Sequence, residues 1–386
     1  MREVVSQFHD AGVKVLLSYN PWDSGTRPAA DPKPDWIRVV ELIKAVGADG
    51  ANGDTMNGMS VDWWNEAEKL DYPVMLQPEL GFGELDWLHN ITYNTMSWAY
   101  LPYAGPTTDD VAWTGVADLP IPSKYSYLVS GHHAQICERW ARQHTNGLQH
   151  AFFMGRGFVP WENVWGVFNA FNEGDGEALR RTRPLLTYTS SLNLTIGADW
   201  TPFAPETALD SDDDAVAVSR FLPASSGSAS ERTDALWLMV NRRARDAGED
   251  ADIVQFTVDV DTSSENSCFY DLYLGKNITD TVTHAGSGAS FNITIDPMDF
   301  GAVLQTGCGS AETTVPGLED FLHKQAEIVN GRALSSYSFK SLPQPQQQRV
   351  EDSVRKHQAK GTHVKLAHGP LPACSRTHCS DCRCRL

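Results

Sequence analysis

The first half of the chain repeats one pattern, in which an amphipathic helix is followed by a short apolar strand and a polar, aromatic loop. The stretch DWIRVVELIKAVG (35–47) spaces its apolar side chains as a helix does, and Gly47 stands where a helix C-cap belongs. Short apolar segments follow such helices at VKVLLSY (13–19), ADGANG (48–53) and YPVMLQP (72–78). This alternation predicts a parallel sheet with right-handed crossover connections.

The pattern continues less regularly towards residue 160. We expect a strand in TMSWAYLPY (95–103), a weaker strand in KYSYLVSG (124–131), a helix in HAQICERWARQHTN (133–146) and a strand in LQHAFFMG (148–155). The parallel strands are therefore expected to end near Tyr19, Gly53, Gln77, Leu101 and Met154.

Two architectures fit this alternation, an open doubly wound sheet and a (β/α)8 TIM barrel. No phosphate-binding G-x-G-x-x-G follows a strand and no G-x-x-x-x-G-K-[ST] occurs, whereas polar residues recur at strand ends, as in barrel enzymes. We therefore expect a barrel-like domain over residues 1–195. About six strands precede residue 160, and a barrel needs eight, so we expect the barrel to be incomplete at its N-terminus. Met1 would then be the start codon assigned by gene prediction and not the biological start.

The pattern changes near residue 200. Segments such as AVAVSRFL (215–222) and ALWLMVNR (235–242) are short alternating strands separated by turn residues, which predicts an antiparallel β-sandwich over residues 200–308. Cys268 and Cys308 border strands of this region and are candidates for a disulfide in an oxidising compartment. Residues 309–386 read as a mostly disordered basic tail with a short helix near 315–329.

Charge and composition restrict the partners. The 49 acidic and 31 basic residues leave a net charge of −18, and the main body carries no basic stripe, so nucleic acid is not expected as a partner. No apolar run approaches about 18 residues, so no membrane span is expected. No signal peptide is recognisable, so localisation is open; secretion is suggested only by sequons at Asn90, Asn193, Asn277 and Asn292, which would make the chain a glycoprotein. The oligomeric state is also open.

Neither a metal nor a cofactor is expected. Adjacent His132 and His133 point to different sides of the helix expected there, and no acidic ligand lies at a suitable spacing. The C-terminal cysteines match no standard zinc pattern: they are Cys374, Cys379, Cys382 and Cys384.

A barrel followed by a β-sandwich is typical of enzymes that cleave glycosidic bonds with two carboxyl groups. The candidate catalytic residues are Asp54, Glu79 and Glu162. Side chains that could bind sugar lie near the same predicted strand ends: Asn20, Trp22, Asp23, Asn52, Arg156 and Trp161. Structural alternatives stay open, since Asp54 and Glu79 could cap helices, Asp23 could close a turn and Glu162 could form a scaffold salt bridge.

Several motifs resemble those of a poorly characterised family of large bacterial and algal proteins. They are YNPWDSGT (19–26), GANGDTM (50–56), WENVWGVFN (161–169), GDGEALRR (174–181), FGAVLQ (300–305) and ALSSYSFKSLPQ (333–344). The resemblance implies a glycosidase-like barrel and β-domain, often followed by a formylglycine-generating, sulfatase-modifying-type domain. This chain stops where that extra domain would begin, and the family offers no assigned catalytic residues.

Three functions follow in order of support. The first is a glycoside hydrolase acting on a glycan. The second is a non-catalytic or truncated relative that binds glycans through its aromatic loops. The third, a scaffold linked to sulfatase maturation, depends on the resemblance alone.

Overall fold

The computed structural model describes most of the chain up to Phe339. The described residues are 1–23, 32–56, 58–79, 96–100, 115–116, 119, 121–128, 133–138, 144–160, 171–204, 207–209, 216–223, 234–243, 252–259, 267–285, 288–308 and 315–339. None of the helices within these ranges is both long and apolar enough to cross a membrane.

The N-terminal segment alternates helices and parallel strands. Its elements are α1 (Arg2–Asp10), β1 (Leu16–Tyr19), α2 (Asp35–Val46), β2 (Gly50–Gly53), α3 (Val61–Ala67) and β3 (Met75–Pro78). Strand β2 pairs in parallel with both β1 and β3, so Tyr19, Gly53 and Pro78 stand side by side at the ends of the three strands. The strand ends expected near Tyr19, Gly53 and Gln77 are confirmed.

Helix α2 shows how local sequence builds this layer. It buries Val40, Ile43 and Val46 against the sheet and ends at Gly47, whose φ of 75° is left-handed, as expected for a C-cap glycine. Gly50 opens β2, where any side chain would overlap the carbonyl oxygen of Met75 on the neighbouring strand. The close approach of β2 and β3 therefore requires a glycine at position 50.

A second parallel sheet contains β4 (Met96–Tyr100), β5 (His133–Glu138) and β6 (Phe158–Pro160). The end of β4 is confirmed near Leu101. Cα atoms of β3 and β4 approach within 8 Å, so the strands of both sheets follow one another in chain order. Among the six described strands, the order therefore shows no reversal of the kind that marks a doubly wound fold.

Three of the predicted elements in this region are wrong. The segment 133–146, expected as a helix, begins with strand β5; 148–155, expected as a strand, lies largely in helix α5 (Thr145–Phe153); and 124–131 begins in helix α4 (Ile121–Leu128). Helix α5 is buried at all its positions except Asn146, so its apolar run has no amphipathic period by which a helix could be recognised. Strand β5 pairs on both sides, and that pairing overrides the local helical pattern.

Antiparallel sheets follow from residue 198. The strands are β7 (Ala198–Pro202), β8 (Thr207–Leu209), β9 (Val216–Pro223), β10 (Ala235–Asn241), β11 (Asp252–Asp259), β12 (Ser267–Asp271), β13 (Lys276–Asn277), β14 (Thr283–Ala285), β15 (Gly288–Ile295) and β16 (Phe300–Gly307). They form a six-stranded sheet in the order β13-β12-β16-β10-β9-β7 and a four-stranded sheet in the order β14-β15-β11-β8.

The six-stranded sheet is covered on both faces. In β10, Trp237 and Met239 pack with Phe291 of the four-stranded sheet, whereas Leu236 and Leu238 join the core shared with the helices. These helices are α5, α6 (Glu173–Ser191) and α7 (Leu318–Val329). Burial of both faces explains why all seven residues of β10 are buried.

The end of the described chain is packed. Helix α7 lies where a short helix was expected, and Tyr188 of α6 stacks on Phe321 of α7 with ring centroids 4.2 Å apart. The packed segment continues beyond the helix, since Leu334 is fully buried. The rest of the predicted tail, residues 309–314 and 340–386, lies outside the described residues.

Cys268 and Cys308 form a disulfide, with their Cα atoms 5.1 Å apart. Strand β12 pairs with β16 in a register that sets Cys268 opposite Thr306, two residues before Cys308. The bridge therefore joins the start of β12 to the residue after β16.

Candidate functional site

The C-terminal ends of β1, β2 and β3 bring three polar side chains to one edge of the sheet. Asn20, Asp54 and Glu79 each follow directly after Tyr19, Gly53 and Pro78, which are aligned in the strand register. Neighbouring strands lie about 4.8 Å apart, so the three residues start as neighbours. We call Asn20, Asp54, Thr55 and Glu79 the strand-end cluster.

Hydrogen bonds connect the cluster across the strands. The Asn20 side-chain amide donates Nδ2–H to Asp54 Oδ2 at 2.9 Å, and the Thr55 backbone N–H donates to Glu79 Oε2 at 2.7 Å. The backbone ladder continues one step past the strands, because Asp54 N–H donates to Tyr19 O at 2.9 Å and Glu79 N–H donates to Gly53 O at 3.0 Å. Both carboxylates are thus oriented by donors within the cluster.

Towards the C-terminal ends of its strands, this sheet has one polar face and one apolar face. Leu17, Tyr19, Ala51 and Leu76 belong to the hydrophobic cluster with the helices. Side chains alternate between faces along a strand, so Asn52 shares the opposite face with Asp54, as does Gln77 with Glu79. Asn52 Nδ2 donates to Gln77 Oε1 at 3.0 Å, which forms a second polar layer one step below the carboxylates.

The turn after β2 is tightly constrained. Thr55 has a φ of 59°, in the left-handed region that a β-branched residue rarely adopts. A Cβ on Gly53 would lie 2.8 Å from Met56 Sδ, so the turn folds back closely on the strand end. This geometry directs the Thr55 N–H to Glu79. The sequence contains no signal for it, because nothing local marks Thr55 as left-handed.

The helix-cap alternative for Asp54 is wrong. Helix α3 begins at Val61 with Ser60 at its N-cap position, several residues beyond Asp54. For Glu79 the residues that follow lie outside the described part, and that alternative stays a prediction.

Other expected site residues are distributed differently. Trp22 is 67% exposed, and Asp23 N–H donates to Asn20 O at 3.3 Å, which closes the turn expected there. Trp161 and Glu162 lie outside the described residues. Arg156 is buried and donates Nη1–H to Thr195 O at 3.1 Å. Both residues are distant in sequence from the strand-end cluster.

A carboxylate also lies at the N-terminal end of β2, where its hydrogen bonds hold the fold together. Asp49 accepts hydrogen bonds from His9, Lys14 and the Val15 N–H. Burial alone would raise the pKa of Asp49, but these donors outweigh burial and lower the pKa to about 2. Through these contacts, Asp49 connects α1 and the segment that leads into β1 to the N-terminal end of β2.

A metal centre is not part of the described structure. Across its residues, no group of three or more His, Cys, Asp or Glu side chains is arranged to hold a metal ion.

Comparison with known proteins gives structural neighbours only. No protein-family model and no curated protein matches the sequence. The structure is similar to a GH27 β-L-arabinopyranosidase from Geobacillus stearothermophilus, at 10% identity and a TM-score of 0.46, over 80% of this chain and 77% of that chain.

Two further neighbours are α-galactosidases. The enzyme α-galactosidase I from Mortierella vinacea matches at 10% identity and a TM-score of 0.45, over 79% of each chain. The Saccharomyces cerevisiae α-galactosidase, solved with raffinose, matches at 7% identity and a TM-score of 0.46, over 79% of this chain and 82% of that chain. At these scores the function has to be argued from the residues of this chain.

Proposed function

We propose that the protein is a carbohydrate-active enzyme, a glycoside hydrolase that uses Asp54 and Glu79 as its two carboxyl groups. The observation that supports this proposal is their placement directly after neighbouring parallel strands, on the polar face of the sheet and joined through the Thr55 turn. Glycosidic bond cleavage needs two carboxyl groups on one sugar ring, about 5 to 9.5 Å apart according to mechanism.

We further propose that both parallel sheets belong to a partial (β/α)8 barrel within residues 1–195, followed by the β-domain of 200–308 and a C-terminal segment at 309–386, of which α7 and Leu334 pack against the helices and the six-stranded sheet. The chain order of the strands supports this, because barrel strands follow one another without reversal. In that arrangement the polar face of β1–β3 would line the barrel mouth.

The hydrogen bonds suggest a role for each carboxyl group. The Asn20 amide donates to Asp54 and holds its carboxylate in one orientation, as a nucleophile or a base requires. Glu79 would serve as the general acid and donate a proton to the glycosidic oxygen of the leaving group. A proton on Oε1 is compatible with the Thr55 hydrogen bond, because Oε2 accepts that bond.

The test compares Asp54→Asn and Glu79→Gln with wild type on a panel of aryl glycosides. We expect each variant to lose at least about 10³-fold in turnover while sugar binding survives, as for a lost catalytic carboxylate. Asp62→Asn and Glu68→Gln are matched controls, because these exposed carboxylates lie outside the strand-end cluster. Wild-type turnover by either test variant would remove that residue from the proposal.

A second candidate function is glycan binding without catalysis, which the exposed ring of Trp22 favours. An exposed aromatic face beside Asn20 could support a sugar ring. In that case the wild-type protein would bind immobilised glycans but turn over no aryl glycoside. Trp22→Ala would then abolish binding, whereas Asp54→Asn would leave hydrolysis at background.

A further inference from the structure

A cavity of about 630 Å³ lies between α5 and α6. Its size is within the range of small-molecule sites, ~300–1,000 Å³. Leu148, Phe152, Leu179 and Leu186 give it apolar walls. None of its lining residues belongs to the strand-end cluster, so the cavity is a separate feature of the protein.

Arg156 contributes a buried positive charge to this cavity. Its side chain is 7% exposed, Nη1 donates to Thr195 O, and Nε has no hydrogen-bond partner within the described structure. Burial lowers the pKa of Arg156 to about 10, so the guanidinium stays charged at neutral pH. Among the described residues, no carboxylate pairs with this guanidinium, and an unpaired buried charge and an unmade N–H bond both cost free energy. An anion in the cavity would offset both costs.

The position of Arg156 is fixed by the end of α5. Arg156 N–H donates to Ala151 O and Gly155 N–H donates to Phe152 O, each at 2.8 Å, which is the hydrogen-bond pattern of a Schellman motif. Gly155 has a φ of 62°, and a Cβ there would lie 2.9 Å from the Phe221 ring. The guanidinium is therefore carried on a rigid turn.

A second arginine stands at the same cavity. Arg183 is exposed on α6, beside the buried Thr182, and both line the cavity. The cavity thus combines apolar walls with one buried and one exposed positive charge, a combination that suits a ligand with an apolar body and an anionic end.

We propose that this cavity binds a small organic carboxylate with an apolar body. The carboxylate would accept hydrogen bonds from Arg156, and the apolar part would lie against Leu148, Phe152 and Leu186. This site is independent of the proposed glycosidase function.

The first experiment titrates the full chain with octanoate and phenylacetate in a calorimeter. Octanol and phenylethanol serve as neutral counterparts, and inorganic phosphate as an anion without an apolar body. We expect saturable binding of the carboxylates, at least about tenfold weaker binding of the alcohols, and no binding of phosphate. A tenfold loss is the lower end for removal of a charged hydrogen bond.

Variants then test the role of Arg156. We expect Arg156→Gln to weaken octanoate binding at least about tenfold, and Leu186→Trp to block the cavity while keeping the charge. Arg2→Gln is the matched control, since Arg2 also donates to a distant backbone carbonyl, that of Ala45, but lies on the surface. Its octanoate affinity should equal that of wild type.

Several outcomes would overturn the proposal. They are the absence of saturable carboxylate binding, equal affinity for octanol and octanoate, phosphate binding as tight as octanoate binding, and unchanged affinity in Arg156→Gln or Leu186→Trp. If Arg156→Gln does not fold, the octanol comparison and Leu186→Trp decide the question.

Discussion

The carboxylate of Glu79 accepts a hydrogen bond from the backbone N–H of Thr55, with 2.7 Å between Oε2 and N. Thr55 directly follows Asp54, so one turn connects the two carboxyl groups proposed for catalysis. The turn has a left-handed threonine at its centre, which is costly for a β-branched residue unless the surrounding structure holds it in place.

Replacement of Thr55 tests this turn. Thr55→Gly keeps the N–H and relieves the left-handed strain, so its free energy of unfolding should equal wild type or rise by up to about 1 kcal/mol. Both variants lose the hydroxyl that donates to Asp54 O, but Thr55→Val keeps the β-branch and its left-handed strain, so it should be less stable than Thr55→Gly by at least about 1 kcal/mol. Urea denaturation of both variants measures the difference; a less stable glycine variant would contradict the account of the turn.

Asp49 should make stability depend on acid pH. Its folded pKa of about 2 lies below the ordinary value of 3.8, so its stabilisation is complete above the ordinary pKa and is lost as pH falls towards the folded one. Between about pH 5 and pH 3, the free energy of unfolding of wild type should fall by roughly 1 kcal/mol more than that of Asp49→Asn. Urea denaturation at several pH values checks this.

The control for this measurement is Asp10→Asn, on the exposed end of α1. Its stability should follow pH as wild type does. Parallel pH curves for wild type and Asp49→Asn would contradict the role given to the Asp49 ion pairs.

Gly50 is expected to tolerate no side chain. A Cβ there overlaps the carbonyl oxygen of Met75, a backbone atom that can move only if β2 and β3 separate. Gly50→Ala should therefore lower the free energy of unfolding by at least about 2 kcal/mol.

Gly176→Ala is the matched comparison for Gly50→Ala. Gly176 lies in α6, and a Cβ at this position would meet nothing within 4 Å, so alanine should stabilise the helix by about 0.5–1 kcal/mol. Thermal unfolding of the two variants should shift in opposite directions, and a Gly50→Ala protein as stable as wild type would refute the packing argument.

The Cys268–Cys308 disulfide should stabilise the β-domain. It closes a loop with a sequence separation of 40 residues, for which chain entropy gives roughly 2–4 kcal/mol. Cys268→Ser with Cys308→Ser should lower the urea midpoint of the oxidised protein accordingly. Intact mass before and after reduction tests the bond itself, since an unchanged mass would show that it had not formed.

Local sequence determined much of the N-terminal layer. The spacing of Val40, Ile43 and Val46 with Gly47 behind them predicts α2 and its end, because a helix face and a left-handed cap are local properties. Polar residues directly after apolar strands predicted Asn20, Asp54 and Glu79 as neighbours, since parallel strands end at one edge. The cysteine pair could likewise be suggested from the strands that it borders.

Only the tertiary structure decided between helix and strand in residues 133–155. Helix α5 packs against α6, the six-stranded sheet and the second parallel sheet, and strand β5 lies between two partner strands. Most of these neighbours are far away in the chain. The position of Arg156 differs for the same reason: the sequence placed it at a strand end, whereas the structure places it in the turn after α5. The glycine in the Met-Gly-Arg sequence at 154–156 is also typical of a helix end. The helix before it could not be recognised from periodicity, because α5 is buried on every side. Periodicity identifies an element when one face meets water, and a fully buried element is defined by its partners instead.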